Sequence, residues 1–202
     1  MRPPAHAPEA WRAVLARDMD YAQRRLIADG SLHPLFILQT SADELVLMPA
    51  QYSSEAGKHA FQRAVTLAAI AHDARAISFM GEAWMRMVGR RSGETTAELD
   101  QRARDVPPSE AHDRVECLIV SLTWRSDDGQ RRWLICCREI LREPSTGAIT
   151  GLAADKVRSE ADGVTGGMVE LLPARRPTGP ERTLANALLR EIGVMVEPVA
   201  PS

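Results

Sequence analysis

The residues best equipped for chemistry lie in two places: Glu82 with Trp84, and the run Ser109-Glu110-Ala111-His112-Asp113-Arg114-Val115-Glu116. An imidazole beside a carboxylate can be held in one tautomer as a base, and a guanidinium can grip a carboxylate or phosphate through two parallel hydrogen bonds. Glu82, His112, Asp113 and Glu116 are therefore the candidate catalytic residues for acid/base work, and Trp84 and Arg114 the candidate ligand-binding ones. The commoner fate of such residues is an ion-pair network at the entrance of a strand, with His112 in solvent and Trp84 partly buried in the core.

Other chemistries find no complete signature. Metal sites need His or Cys ligands at short loop spacing or one helical turn apart. His59 and His72 share a predicted helix but lie thirteen residues apart, roughly 20 Å at 1.5 Å per residue, so they cannot share an ion. Cys136 and Cys137 are neighbours on a predicted strand and point to opposite faces. No serine sits in a nucleophile elbow, and Thr165-Gly166-Gly167-Met168 lacks the Lys-Ser/Thr ending of a phosphate-binding loop. No metal and no cofactor is implied.

The elements that must position these residues follow from hydrophobic periodicity. Apolar residues at three- and four-residue steps predict a helix over Glu9–Ala28, entered after Pro8 and stopped by Asp29-Gly30. Leu35–Leu38 and Leu45–Met48 read as a hairpin, and a second, alanine-rich helix runs from a Ser53/Ser54 cap to about His72. Ala74–Val88 fits both strand and helix periods and is assigned as a strand. Thr95 and Glu98 have capping-box spacing for a short helix through Arg104, ended by Pro107-Pro108.

The clearest element is a central hairpin, 114–142, turning at Ser126-Asp127-Asp128-Gly129. With Asp128-Gly129 as a two-residue turn, Trp124 faces Trp133, Leu122 faces Ile135 and Val120 faces Cys137 on one apolar face. Arg125, Thr123, Ser121, Arg132 and Arg138 then occupy the other. The same register puts Cys117 on the face of Cys136 but ~13 Å along the ladder, beyond disulfide reach. Ala148–Leu152 can add a short strand, Ser159–Gly167 reads as a mobile acidic loop, and Met168–Leu172 as a final strand. Thr178 and Glu181 cap a last helix, Glu181–Ile192, stopped at Gly193. The expected fold class is α+β: a mainly antiparallel sheet of five or six strands with helices packed on one face. Residues 1–8 are expected to be disordered, 9–172 to form the main domain, and 173–202 to be linker, helix and tail.

The segments Phe79-Met80-Gly81-Glu82-Ala83-Trp84-Met85, Pro108-Ser109-Glu110 and Asp113-Arg114-Val115-Glu116 resemble a pattern shared by a group of small uncharacterised bacterial proteins with no established activity. The resemblance spans about Ala71 to Arg142. It implies a shared surface or polar network through Glu82, Trp84, Asp113, Arg114 and Glu116, and it carries over no catalytic role.

Charge and composition narrow the partners. Twenty-five Lys and Arg against twenty-seven Asp and Glu leave a net charge of -2, which gives no field for a phosphate backbone, so nucleic acid is an unlikely partner. The N-terminal residues lack a secretory apolar run and no stretch reaches the ~20 apolar residues of a membrane span, so the cytoplasm is the expected compartment. Three cysteines give no disulfide framework and are expected to be reduced. The sequence favours a non-enzymatic binding module that uses a sheet face or groove for a protein partner or small ligand, as a possible homodimer. The alternative is a small hydrolase-like enzyme with its acid/base site around Glu82 and His112–Glu116.

Overall fold

The computed structural model describes residues 8–85, 91–106, 110–162 and 169–199. The first apolar stripe becomes α1 (Glu9–Asp29), entered from Pro8 and ended by Gly30, whose φ of 73° lets its amide return to Leu26 O. Glycine takes that left-handed conformation without a Cβ clash. β1 (Leu35–Thr40) and β2 (Leu45–Pro49) form the first hairpin. α2 (Glu55–Ala71) starts at Ser54, whose hydroxyl accepts the Gly57 N–H at 3.1 Å. The segment with two possible periods is strand β3 (Ala74–Met85); Val88 lies outside the described residues. α3 (Thr96–Asp105) carries the predicted Thr95/Glu98 capping box, and the Pro107-Pro108 stop lies outside the described residues.

β4 (Val115–Arg125), β5 (Arg131–Arg142) and β6 (Ile149–Asp162) complete one six-stranded antiparallel sheet in the order β2-β1-β3-β4-β5-β6. The expected α+β class and antiparallel sheet are what forms. Two local expectations fail at its C-terminal end. β6 continues through Ser159–Asp162, which had read as loop, and Val169–Leu171 is a single 3-10 turn rather than a strand. β6 is polar because it is an edge strand: β5 templates it along its whole length, and charge on an edge discourages pairing with other chains.

Helices cover both faces of the sheet, where one helical layer was expected. Phe36, Leu38, Val46, Met48 and Ile77 pack under the alanines of α2, and Ala185 and Leu189 of α4 (Gly179–Glu191), which packs on α2, extend the same cluster. Leu118, Val120, Leu122, Trp124, Leu134 and Met80 pack under Leu15, Met19, Ala22 and Leu26 of α1. Alternation along each strand requires this, because adjacent residues such as Ile77 and Ala76 are both buried and point to opposite sides. Burying each large aliphatic side chain contributes about 1.5–3 kcal/mol, so neither layer is dispensable.

The central hairpin forms one residue out of the expected register. Trp124 pairs with Arg132, Thr123 with Trp133, Leu122 with Leu134 and Val120 with Cys136. The loop is Asp127-Asp128-Gly129: Ser126 and Gln130 close it through Ser126 N–H to Gln130 O at 2.9 Å, and Gly129 sits at φ 76°. This three-residue loop, a turn followed by a left-handed glycine, competes with the two-residue Asp-Gly turn. Asp128 decides the contest, since its carboxylate accepts from the Ser126 hydroxyl and from the Gln130 amide, bonds that hold its pKa at about 2.

The two indoles therefore lie on opposite faces, and the polar face derived from the other register does not exist. Trp124 is buried against Trp11 of α1, with ring centroids 6.0 Å apart, while Trp133 is half-buried beside Thr123 and Ala161. Cys136 belongs to the α1 side. Cys117 and Cys137 share the other face, diagonally across the ladder, so Cys117 does not share a face with Cys136. All three cysteines are free and buried, and burial foremost, with Cys117 and Cys136 nearby, pushes the Cys137 thiol up to about 12.

The segment read as a linker is bound to the sheet. Arg125 donates to Pro173 O, Arg131 to Leu172 O, and Arg176 grips Asp73. Past α4, Val199 exchanges two backbone bonds with Leu45 at the β2 edge. Residues 1–7, expected to be disordered, lie outside the described residues. Among the described residues no helix is long and apolar enough to cross a membrane.

Candidate functional site

Two of the candidate carboxylates come together where β3 and β4 pair at one end of the sheet. Trp84 stands opposite Glu116 and Glu82 opposite Leu118, so Glu82, Trp84 and Glu116 all project to the α1 side. Between the two glutamates lies Arg142 of β5, a residue the sequence reading did not single out. Its Nε and Nη2 donate to the two oxygens of Glu116 at 2.6 and 2.8 Å, and Nη2 reaches Glu82 Oε2 at 3.5 Å. The other Glu82 oxygen accepts the Leu32 N–H at 2.5 Å, and Arg142 Nη1 donates to Gly147 O.

The cluster thus ties the α1–β1 loop to the sheet and to the β5–β6 turn. It is a clamp, with its carboxylate oxygens already bonded within the chain. Both glutamate side chains are about a fifth exposed, at 21% and 23%. The two-pronged bond from Arg142 holds Glu116 below the ordinary carboxylate pKa, and partial burial opposes this.

His112 and Asp113 lie on the exposed turn before β4 and do not enter this cluster. Arg114 is exposed too, and its guanidinium carbon sits 4.5 Å from the Trp84 ring centroid. Stacking of this kind is worth about 0.5–1 kcal/mol at an exposed site. Trp84 is 45% exposed rather than buried in the core. The proposed grouping therefore separates into a clamp of Glu82, Glu116 and Arg142, and a surface stack of Trp84 and Arg114.

Replacing Arg142 by Leu leaves two partly buried carboxylates facing each other, and it should cost about 1–3 kcal/mol in a denaturant titration. Replacing Arg114 by Leu removes the stack on Trp84 and should cost about 0.5–1 kcal/mol. The clamp also predicts a pH dependence. A carboxylate whose folded pKa is depressed contributes stability that is full above its unfolded value, about 4.3, and is lost as pH falls through the folded value. Wild-type melting should therefore drop below pH 4 by more than that of the Arg142→Leu variant. Equal acid sensitivity of the two proteins would remove Glu116 from the account.

A cleft lies on the other side of Leu32. α1 covers β1 only in part on its face of the sheet, and there Tyr21, Arg25 and Asp29 of α1, Ser31–His33, Leu35, Leu47 and Pro49 enclose about 470 Å³. Leu47 is 47% and Tyr21 40% exposed inside this cleft. Arg25 and Asp29 form an ion pair on its rim. The clamp and the cleft share one structural part, because Glu82 fixes the backbone of Leu32 and Leu32 forms the cleft wall. Among the described residues no group of three His, Cys, Asp or Glu side chains could hold a metal ion. No protein-family model, curated protein or solved structure matches the chain.

Proposed function

We propose that the protein is a non-enzymatic binding module, acting as a homodimer in a reducing cytoplasmic setting, that takes a small amphipathic ligand in the cleft between α1 and the β1–β2 hairpin. The observation that carries this reading is the exposure of Leu47 and Tyr21 in a concave site of about 470 Å³. Ligand pockets combine an apolar lining with a few placed polar groups. Here Leu32, Leu35, Leu47, Pro49 and the Tyr21 ring form the apolar wall, and Ser31, His33 and the Arg25–Asp29 pair stand at the rim.

Binding is favoured over turnover because the two buried-side glutamates are occupied by Arg142 and Leu32, and His112 stands apart from them. The near-neutral chain also favours a small ligand over nucleic acid.

A thermal-shift screen of small amphipathic fragments tests the reading. A ligand at about one hundred times its Kd stabilises the native state by about 2.7 kcal/mol, roughly 5–10 °C for a chain of this size. Leu47→Glu should abolish the shift without lowering the melting point of the free protein, and Trp84→Ala should leave the shift intact. A shift that survives Leu47→Glu, or a screen with no shift, would sink the cleft. Accumulation of a cleaved product that disappears in Glu82→Gln would instead support acid/base hydrolysis.

A further inference from the structure

Among the described residues, three strongly exposed apolar side chains lie not in the cleft but on the opposite face of the sheet. Along and just past α4, Leu184 is 61% exposed, Ile192 51% and Met195 84%. Ala185 and Leu189 of the same helix are buried against α2, so α4 carries two apolar faces, and only one of them is needed to dock it. Leu184, Leu188 and Ile192 follow each other at four-residue steps and form one outward stripe. Beside the stripe a groove of about 280 Å³ runs between the helices, walled by Leu67 and Ile70 of α2 and by Leu184 and Leu188 of α4. The ion pair at its rim, Arg175 with Glu181, is already closed within the chain.

We infer that this face of α4 is where two copies of the chain meet, with the two α4 helices antiparallel about Leu188. The stripe is self-complementary in that orientation. A two-fold axis at Leu188 brings Leu184 of one copy against Ile192 of the other, and Met195 to the groove beside Glu181. Charge agrees with this choice. The start of α4 carries the exposed Arg182 beside the closed Arg175–Glu181 pair, and its end carries the exposed Glu191 and Glu197 against one exposed Arg190, so the net charge is positive at the start and negative at the end. Antiparallel pairing sets the basic end of each copy beside the acidic end of the other, and it opposes the two helix dipoles favourably. Parallel pairing would stack like charges.

The α1-side cleft faces away from this contact and stays open in the dimer. The inference rests on the homodimer proposed above but not on the ligand cleft.

Sedimentation of the full chain at micromolar concentration tests it. Wild type should have the mass of two chains. Leu184→Glu and Ile192→Glu, both at largely exposed positions, should each weaken the dimer by at least about tenfold and together yield monomers with unchanged melting of the monomer fold. Arg182→Glu should weaken association and raise its sensitivity to salt, and Glu197→Arg added to it should restore the affinity. A dimer whose mass ignores the Leu184 and Ile192 changes would place the interface elsewhere and leave the homodimer standing. A wild-type chain that stays monomeric would remove both.

Discussion

Replacing Trp124 by alanine is expected to cost about 3–5 kcal/mol, near the top of the range for a single substitution. The indole is 3% exposed, it lies on the α1 side of β4, and it stacks on Trp11 at an interplanar angle of 29°. Its loss opens a cavity between sheet and helix that Leu122, Leu134 and Ala76 cannot fill without moving the strands. Trp133→Ala should cost less, about 1–2 kcal/mol, because that ring is half-buried on the other face. The register makes a sharper distinction than the single variants do. Double-mutant cycles should show coupling of about 0.5–1.5 kcal/mol between Trp11 and Trp124, and no comparable coupling between Trp124 and Trp133. If Trp124 coupled to Trp133 instead, the three-residue loop and every face assignment that depends on it would be wrong.

That one-residue difference explains most of what the sequence concealed. Asp128-Gly129 is a favoured two-residue turn, and nothing in local composition outranks it. The observed loop wins through the Asp128 carboxylate, which bonds Ser126 and Gln130 only once the chain has closed three residues wide. In the two-residue register Arg142 shares a face with the odd-numbered residues of β4 and points away from Glu116. In the actual register it grips Glu116. The cation of the clamp was thus invisible until the turn was known. Arg114, adjacent in sequence to Asp113 and close to Glu116, looked like the natural partner and instead covers Trp84.

Elements set by their own residues were legible. Gly30 ends α1, Ser54 caps α2, and the Thr95/Glu98 and Thr178/Glu181 boxes open α3 and α4. Each depends on bonds within four residues. Elements set by a partner were not. The distal half of β6 has no apolar alternation of its own and exists because β5 offers a long unpaired edge. The ligand cleft had no sequence signal at all, since it arises from where α1 ends relative to β1 and β2. Exposed Leu47 is indistinguishable in the sequence from buried Val46 and Met48 beside it.

The second large effect is expected at Asp73, a residue that no motif marks. It sits in the turn from α2 to β3, is 4% exposed, and adopts a φ of 50°, in the left-handed region that residues other than glycine rarely enter. Its main-chain oxygen accepts both the amide and the hydroxyl of Ser41, and its Oδ2 accepts the Arg176 Nε–H at 2.8 Å and lies 2.7 Å from Arg176 Nη2 in an ion pair. Its Oδ1 has no hydrogen bond but faces the Arg125 guanidinium at 3.8 Å. Arg125 is itself only 11% exposed and bonds otherwise to the carbonyls of Ala74 and Pro173. Burial lowers its pKa, and Asp73 is the charge that opposes the shift.

Removing the carboxylate therefore strands a buried cation and releases the segment that carries α4. Asp73→Asn keeps the side-chain shape and a tolerance for the left-handed conformation, so it isolates the charge. It should cost about 3–5 kcal/mol, roughly 6–20 °C in melting temperature. Asp73→Gly relieves the backbone, a gain of about 1 kcal/mol, but should still be a net loss. The control is Arg125→Met in the Asp73→Asn background, which replaces the stranded guanidinium by an apolar chain of similar length and should recover part of the lost stability. If Asp73→Gly proved as stable as wild type, the residue would be serving its turn alone, and the ion pair with Arg125 would contribute nothing to holding α4 on the sheet.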